Sequence, residues 1–409
     1  MSSNQVVIVD DEELILKSLK RVLRRLAPSW SVHIFASPKE ALDKLQQGEI
    51  QPDLVMCDRL MPGTRGDDVL LECRAHSPEA IRLLMTGDTR IDMKEIVASN
   101  VHIFISKPFE HGDISDVFNR VMRIKALPLK HSVRQALGRL KGLPVLNETY
   151  QKLDRLLKCE DAELDEVARV VGKDPTLVAN VLQAANSPFL GFRGQVSSVD
   201  KAVKRLGLNT IASIAVASSL SQTYSIDSKM HRDVVVRALS SAYIATRLMQ
   251  MRGFTREQAE YAFSMSLLAS IGELYLVDAP ETANDVGLKS STKPISALIT
   301  YYLLTIWGIE ERLVEDILSA SCAVESTLRS CKESEKPQES DNFEESKESK
   351  KAEGLIASQV FYLARRLACE DFDEALADVL KMDEFAQWYP ALNALKENPP
   401  EDINLAVPQ

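Results

Sequence analysis

The stretch that decides the fold of the first part of the chain is Leu54–Gly63, which reads Leu-Val-Met-Cys-Asp-Arg-Leu-Met-Pro-Gly. It opens with four apolar residues in a row, a pattern typical of a strand that is buried on both faces of a parallel sheet. Asp58 follows this run directly, and Pro62 and Gly63 mark the loop beyond it. The stretch therefore predicts a buried strand that ends at a carboxylate beside an open loop.

Similar β-rich runs lie on both sides of this stretch and alternate with amphipathic helical patterns. The predicted strands are Gln5–Val9, Ser31–Phe35, Asp53–Cys57, Ile81–Thr86 and Val101–Ser106. Short apolar strands separated by helices predict an α/β fold of the doubly wound type, with a five-stranded parallel sheet and helices on both faces. In this architecture, ligands bind beyond the carboxyl ends of the strands.

Polar side chains stand where the predicted strands end. They are Asp10 and Asp11 after the first strand, Asp58 after the third, Thr86 at the end of the fourth and Lys107 after the fifth. Three carboxylates at one sheet edge raise each other's pKa, and a hard divalent cation, most naturally Mg²⁺, removes this repulsion. A carboxylate, a metal, a hydroxyl and an ammonium are the groups that phosphoryl transfer needs. The alternative is that each aspartate is only a solvated strand end.

The same residues resemble the response regulator receiver domain, whose fold is flavodoxin-like. The motifs that carry the resemblance are Asp10-Asp11, Asp58-x-x-Met61-Pro62 with Gly66, Thr86, and Lys107-Pro108. They appear in the family's order and at appropriate separations across residues 5–125. The resemblance implies that a sensor histidine kinase or a phosphotransfer protein phosphorylates Asp58.

The resemblance also implies roles for the neighbours of Asp58. The implied Mg²⁺ ligands are Asp10, Asp11, Asp58 and the backbone carbonyl of Leu60. Thr86 and Lys107 would contact the phosphoryl group, and Phe104 stands where the family has an aromatic switch. Phosphorylation adds about two negative charges at one point. We expect Thr86 to move toward them and Phe104 to turn into the vacated space, which changes the surface formed by the last strand and the helix before it.

The character of the chain changes after residue 126, where strand patterns give way to helical periodicity. We predict a receiver domain at 1–125, a linker at 126–131, a helical domain at 132–395 and a tail at 396–409. Within the helical domain, residues 332–354 are almost entirely polar and predict a disordered insertion, because they cannot bury enough apolar surface to offset chain entropy. The helical patterns Leu355–Cys369 and Phe372–Ala394 follow, and we expect the first to dock on the same domain.

The helical half resembles the HDOD output domain, a relative of the HD-type metal-dependent phosphohydrolases. The resemblance rests on Leu143-Pro144, Asp174-Pro175, Ala185-Asn186-Ser187, Ala202 with Leu206-Gly207, Leu267-Leu268 with Ile271-Gly272, and Trp307-Gly308. Together with the first half, it predicts a doubly wound α/β domain followed by an all-α, HD-like domain. The output surface would bind an unidentified protein partner.

Catalysis in the helical half is not predicted, because the metal ligands of HD hydrolases are missing. Beyond residue 131 the only histidine is His231, which stands in a polar segment. Ala269-Ser270 stands where the family has its His-Asp pair, Arg237 stands at an upstream histidine position, and Ala320-Ser321 replaces a later histidine pair. We therefore predict that the protein is not an enzyme and that no residue of the helical domain is catalytic.

Two alternative functions were weighed for the helical half. One is a divergent HD-type phosphohydrolase that acts on a cyclic nucleotide. The other is a DNA-binding regulator that uses Leu164–Ala185 as a helix-turn-helix. Its recognition helix would be Thr176–Gln183, which contains no Arg or Lys to contact phosphates or guanine. The net charge of −10 also makes nucleic acid an improbable partner.

Composition bears on location. Six scattered cysteines without metal-binding spacing predict free thiols in a reducing compartment. The N-terminus has no basic start followed by an apolar run, so no signal peptide is expected. The most apolar later stretch, Ala297–Trp307, is shorter than the roughly 20 residues that span a bilayer. We therefore expect a cytoplasmic protein without a membrane partner.

Overall fold

The computed structural model describes most of the first third of the chain and the main helices of the rest. The longer described ranges are 4–87, 101–139, 163–173, 198–208, 210–215, 229–279, 294–330, 359–368 and 383–397, with single residues and pairs between them. Two compact units are present. Among the described residues, the first unit contains 4–139 and 302–309, and the second contains the remainder.

The first unit is built on a five-stranded sheet in the order β2-β1-β3-β6-β7, and every neighbouring pair is parallel. Its strands are β1 (Gln5–Val9), β2 (Ser31–Phe35), β3 (Leu54–Asp58), β6 (Ile81–Thr86) and β7 (Ile103–Ser106). The predicted doubly wound parallel sheet is confirmed. Because all five strands run the same way, their carboxyl ends share one edge, which brings the polar residues at those ends together.

Three details differ from the prediction, and one of them is that the fifth strand begins at Ile103 instead of Val101. The third strand runs one residue further than expected, so Asp58 is its last residue. The loop after it is a short antiparallel hairpin, β4 (Leu60–Met61) and β5 (Thr64–Arg65), which turns at Gly63 with φ of 81°. A positive φ favours glycine, and this local turn chemistry is what makes the hairpin.

Helices cover both faces of the sheet. They are α1 (Glu13–Leu26), α2 (Pro38–Gln46), α3 (Gly66–His76), α4 (His111–Ala126) and α5 (His131–Arg139). Helix α1 buries Leu16, Leu19 and Leu23 at the three- and four-residue spacing of one helical face. The ring of Trp30 meets Phe118 of α4 edge-on, with 5.0 Å between the ring centroids. The sheet is thus enclosed, as its apolar strands require.

The second unit is helical throughout its described residues, which confirms the predicted fold class. Its helices are α6 (Leu164–Val171), α7 (Val199–Leu206), α8 (Lys229–Met251), α9 (Arg256–Leu268), α10 (Ile271–Asp278), α11 (Ile295–Ile306, shared with the first unit), α12 (Glu311–Ser330), a 3₁₀ turn (Asp383–Trp388) and α13 (Tyr389–Glu397). Helices α8 and α9 form its centre, where Tyr243 packs edge-on against Phe263. None of the helices in the described ranges has the length and apolar character needed to span a membrane.

The segment after residue 355 packs on the same helical unit. Arg365, in the helix at 359–368, lies 3.5 Å from the hydroxyl of Ser270. Trp388 stacks on Phe254, with 6.0 Å between ring centroids. This packing agrees with the prediction that the segment Leu355–Cys369 docks on the same helical domain. The insertion itself, at 332–354, lies outside the described residues, as do Asp174-Pro175 and Asn186-Ser187.

The division of the chain into two compact units does not test the predicted domain boundaries. Helix α5 begins at His131, at the end of the predicted linker, and lies in the first unit. The limits at 125, 131 and 395 stay predictions.

Candidate phosphoryl-acceptor site

Asp58 is held at the carboxyl end of β3 by a tightly connected backbone. Its side chain is 8% exposed, and its Oδ2 accepts a hydrogen bond from the Leu60 amide at 3.0 Å. The Arg59 carbonyl accepts from the Gly66 amide at 2.9 Å. A Cβ atom at Gly66 would lie 2.0 Å from the Asp58 carbonyl oxygen, closer than any real contact. Glycine is therefore required at position 66 for the first turn of α3 to pack against the acceptor.

Asp10 and Lys107 meet Asp58 at the same sheet edge. Asp10 follows β1 and is fully buried, and its Oδ1 accepts from the Glu12 amide at 2.9 Å. The Lys107 ammonium lies 2.8 Å from Asp10 Oδ2 and 2.6 Å from Asp58 Oδ1. We call Asp10, Asp58 and Lys107 the carboxyl-end cluster. The structure thus brings together three of the predicted site residues from three different strands.

The electrostatics of the carboxyl-end cluster favour an added cation. Burial raises the pKa of Asp10, although its hydrogen bonds from Lys107 and from the Glu12 amide oppose the rise. Burial alone would lower the pKa of Lys107, but its hydrogen bonds to Asp10 and Asp58 raise it overall. Two carboxylates and one ammonium leave an excess negative charge when all are ionised. Glu12, with Oε1 3.6 Å from the ammonium, adds to that excess at the rim.

The donor set suits a hard cation, but the predicted ligands are only partly assembled. Asp10 and Asp58 supply carboxylate oxygens, the type of ligand that Mg²⁺ prefers. Asp11 is exposed and does not join them. Within the described ranges, no three side chains of histidine, cysteine, aspartate or glutamate gather closely enough to hold a metal ion. The structure fits Mg²⁺ in chemistry, and Asp11 would have to turn inward to complete the predicted set.

Thr86 lies on β6, the strand next to β3, and Phe104 lies on β7, the edge strand beyond it. Thr86 ends β6, is 7% exposed, and its carbonyl accepts a hydrogen bond from the Lys107 amide at 2.6 Å. Phe104 lies in β7, where its backbone pairs with Leu84 of β6. The side chain of Phe104 lies outside the described part of the chain. Its predicted role as a switch therefore stays a prediction.

Sequence reasoning missed one charged neighbour of the acceptor. Arg59 follows Asp58 directly, is 6% exposed, and its Nε lies 3.7 Å from Asp67 Oδ2 at the start of α3. The signal was present, since an arginine interrupts an otherwise apolar stretch around the acceptor. A buried guanidinium needs an anionic partner, and Asp67 supplies it.

The helical unit shows a different polar cluster where metal ligands were predicted to be missing. Arg237 Nη2 lies 3.9 Å from Glu273 Oε2, and Arg365 pairs with Oε1 of the same carboxylate. We call Arg237, Glu273 and Arg365 the arginine–glutamate cluster. Ser270 touches it through Arg365. Ala320 is fully buried, and the side chain of His231 lies outside the described residues.

Comparison with known families assigns both parts of the chain. A family model of the response regulator receiver domain matches residues 6–119, and one of the HDOD domain matches residues 143–321. The first match contains every predicted site residue of the receiver pocket. The second contains Arg237, Ser270 and Glu273.

Curated relatives resemble part of the chain. The hydrogenase transcriptional regulatory protein HoxA of Cupriavidus necator is 27% identical over 42% of this chain and 38% of its own length. The regulatory protein VanR of Enterococcus faecium is 30% identical over 30% of this chain and 49% of its own. The DNA-binding response regulator MtrA of Mycobacterium tuberculosis is 29% identical over 27% and 46%. The chain thus spans half or less of the length of these relatives.

Solved structures with a likeness cover about a third of the chain. An uncharacterized protein from Neptuniibacter caesariensis is 28% identical, with 31% of this chain and 97% of that chain covered and a TM-score of 0.28. The signal receiver domain of an HD domain-containing protein from Pseudomonas fluorescens Pf-5 is 23% identical, with 30% and 89% covered and a TM-score of 0.27. The two family matches and the parallel sheet show that the chain contains a response regulator receiver domain followed by an HDOD domain.

Proposed function

We propose that Asp58 accepts a phosphoryl group from a sensor histidine kinase or a phosphotransfer protein and thereby controls the HDOD domain. The observation that carries this proposal is the position of the Lys107 ammonium, 2.6 Å from Asp58 and 2.8 Å from the buried Asp10. A carboxylate beside a partly buried ammonium can attack phosphorus as the bond from phosphorus to the donor breaks, while the ammonium holds the phosphoryl oxygens. Asp58 lies at the carboxyl edge of a parallel sheet, where this architecture binds ligands.

The surrounding residues divide the work of the transfer. The proposed Mg²⁺ ligands are Asp10, Asp11, Asp58 and the backbone carbonyl of Leu60. When bound, the ion neutralises charge on the carboxylates and on the phosphoryl oxygens. Lys107 pairs with a phosphoryl oxygen, and the hydroxyl of Thr86 donates a hydrogen bond to another. Phe104 then turns toward the space that Thr86 leaves and alters the neighbouring surface.

The HDOD domain acts as a binding module in this proposal and not as an enzyme. Support comes from the arginine–glutamate cluster, in which one carboxylate lies between two guanidinium groups. Arginine is permanently cationic and does not coordinate metals. Such a cluster repels a divalent cation, so it cannot activate water as a hydrolytic metal centre does. The partner of the domain is proposed to be a signalling protein.

Phosphorylation of Asp58 is tested with a small phosphodonor. The full chain is incubated with acetyl phosphate and Mg²⁺ and examined by intact mass and by hydroxylamine lability, which identifies an acyl phosphate. The Asp58→Asn variant should lose the modification completely. Asp68→Asn, which removes an exposed carboxylate ten residues away on α3, should retain it. An unmodified wild-type protein, or a fully modified Asp58→Asn variant, contradicts the proposal.

The binding role is tested separately. Affinity capture with wild-type protein and with an Asp58→Ala variant, each with and without acetyl phosphate, should show a protein whose retention depends on Asp58. Transition-metal content and hydrolysis of cyclic dinucleotides by the full chain should be at background, since the proposed Mg²⁺ site lies in the receiver. Steeply salt-dependent binding to duplex DNA would instead support a nucleic-acid role.

A further inference from the structure

A charged residue lies inside the sheet at the end opposite the acceptor. Arg82 is the second residue of β6, between Ile81 and Leu83, and its side chain is fully buried. Burial lowers the pKa of Arg82 to about 10, which still leaves the guanidinium charged at neutral pH. A buried charge is stable only when it is paired and hydrogen-bonded. Its partners therefore show what this position requires.

The partners of Arg82 come from the sheet and from α5. The guanidinium donates to the carbonyl of Ala80 at 3.2 Å and to the carbonyl of Gly138 at 2.8 Å. Its Nη2 also lies 2.6 Å from Nε2 of His102, a residue that is itself buried. We call Arg82, His102 and the carbonyls of Ala80 and Gly138 the amino-end cluster. Since Gly138 is near the end of α5, the cluster joins that helix to the centre of the sheet.

Helix α5 has further contacts with the same unit. Its Arg134 side chain donates to four backbone carbonyls at and beyond the end of α4, those of Ile124, Lys125, Leu127 and Leu129. Val133 and Leu137 are buried. A Cβ atom at Gly138 would lie 1.7 Å from the Pro78 carbonyl oxygen, so the helix packs directly on backbone there. These contacts pack α5 tightly against the rest of the first unit.

One strand connects the two ends of the sheet. Side chains alternate along a strand, so Arg82, Leu84 and Thr86 of β6 point to the same face. Arg82 and Thr86 are about 13 Å apart along a strand that rises about 3.3 Å per residue. Arg82 therefore connects β6, the strand that ends at Thr86, to the carbonyl of Gly138 on α5.

We propose that α5 is an integral part of the receiver, held to β6 by Arg82 acting as a positioning residue. We further propose that the phosphorylation signal leaves the receiver through this helix, which shifts together with β6. The signal route through α5 rests on the proposed function of Asp58, whereas the anchoring of α5 by Arg82 does not. Because α5 directly precedes the HDOD match at 143–321, a change in its position acts on the chain that leads into the output domain.

The test uses hydrogen exchange of the full-length protein, with and without acetyl phosphate and Mg²⁺. Arg82→Met is the obvious variant, but it leaves buried partners unsatisfied and can unfold the receiver. Gly138→Ala perturbs the contact from the helix side, because its Cβ cannot fit against Pro78. Gly112→Ala is the matched control, since Gly112 lies in the first turn of α4 with no atom within 4 Å of the added Cβ.

The expected result is that amides of residues 131–139 exchange roughly tenfold faster or more in Gly138→Ala, while those of Gly112→Ala match wild type. In wild type, phosphorylation should change exchange in the same residues, and Gly138→Ala should lose that response although Asp58 is still modified. Equal exchange of 131–139 in Gly138→Ala and wild type overturns the anchoring of α5. Modification of Asp58 without a response in α5 overturns the signal route. If Asp58 is never modified, the proposed function fails with the route, and the unphosphorylated samples still decide the anchoring.

Discussion

The two ends of the receiver sheet hold buried charges in opposite ways. The carboxyl-end cluster places two carboxylates around one ammonium and keeps an excess of negative charge. The amino-end cluster places one guanidinium against two backbone carbonyls that accept its hydrogen bonds, with the ring of His102 beside it. Both ends are buried and both contain a long basic side chain. They differ in whether the protein alone satisfies the charge.

This difference separates a reactive site from a structural one. A cluster whose charge is already satisfied gains little from an added ion, so it serves to hold elements in place. A cluster with an excess of one sign is stabilised by a ligand of the other sign, and it responds when that ligand arrives.

The largest effect is expected on metal affinity at the carboxyl end. Asp10→Asn removes a buried carboxylate of the carboxyl-end cluster and should weaken Mg²⁺ binding more than about a hundredfold, beyond the loss typical of changes to outer-shell partners of a metal. Isothermal titration of the full chain measures it. Glu79→Gln, at the amino end, is the control and should bind Mg²⁺ as wild type does. Equal affinity of Asp10→Asn and wild type would show that the excess charge does not recruit the ion.

A second effect concerns the backbone packed against the acceptor. Gly66→Ala should destabilise the sheet by about 3 kcal/mol, because its Cβ would lie 2.0 Å from the Asp58 carbonyl oxygen and cannot be accommodated without backbone shifts. Gly63→Ala should cost about 1 kcal/mol, since φ is 81° there but the space is open. The free energy of opening, from hydrogen exchange of the β3 and β6 amides, measures both. A larger loss of free energy of opening in Gly63→Ala than in Gly66→Ala would contradict this prediction.

A third effect is a pH dependence that arises at the amino end. Burial, followed by the charges of Arg82 and Arg74, keeps the pKa of His102 well below its usual range. The folded state keeps this ring neutral while the unfolded chain binds a proton below about pH 6.5. Stability is therefore complete above that pH and falls as the pH drops through it, by at most about 1.4 kcal/mol per pH unit.

His102→Gln should flatten this dependence between pH 7.5 and 5.5, measured by hydrogen exchange of the sheet amides. His33, whose pKa is lowered by partial burial and then by Lys20 and Lys44, provides the comparison. Its replacement by glutamine should leave most of the slope. An unchanged slope in His102→Gln would locate the titration elsewhere.

The smallest effect is expected at the exposed start of α5. His131 Nδ1 lies 3.1 Å from Glu79 Oε1, but the histidine side chain is 90% exposed. Exposed pairs contribute about 0 to 1 kcal/mol, so His131→Gln should leave exchange in α5 almost unchanged. A response as large as that of Gly138→Ala would mean that this surface pair, and not Arg82, holds the helix.

The sequence predicts the carboxyl end better than the amino end, and the reason is geometric. Asp10, Asp58 and Lys107 follow strands, and the carboxyl ends of parallel strands must meet. Asp11 follows the same strand as Asp10 yet stays exposed, because adjacent residues point in different directions. Strand periodicity does not say which of the two turns inward.

The sequence pattern places Arg82 in an apolar strand and does not indicate its partners. Its partners His102 and Gly138 are 20 and 56 residues away, a distance that no local pattern spans. The same limit applies to Arg365, whose partners Ser270 and Glu273 precede the polar insertion. Long-range pairs of buried polar groups are settled by tertiary packing, whereas strands and helices are settled by local periodicity.

The contact between Arg82 and Gly138 has a consequence for recombining this receiver with other output domains. A chimera joined at residue 126 would lose the Gly138 carbonyl, which accepts a hydrogen bond from the buried guanidinium of Arg82. It would also expose the amino end of the sheet. Joining after Arg139 keeps the native partner and carries the helix along with its receiver. Splice position, more than the identity of the transplanted effector, is then expected to decide whether such hybrids fold.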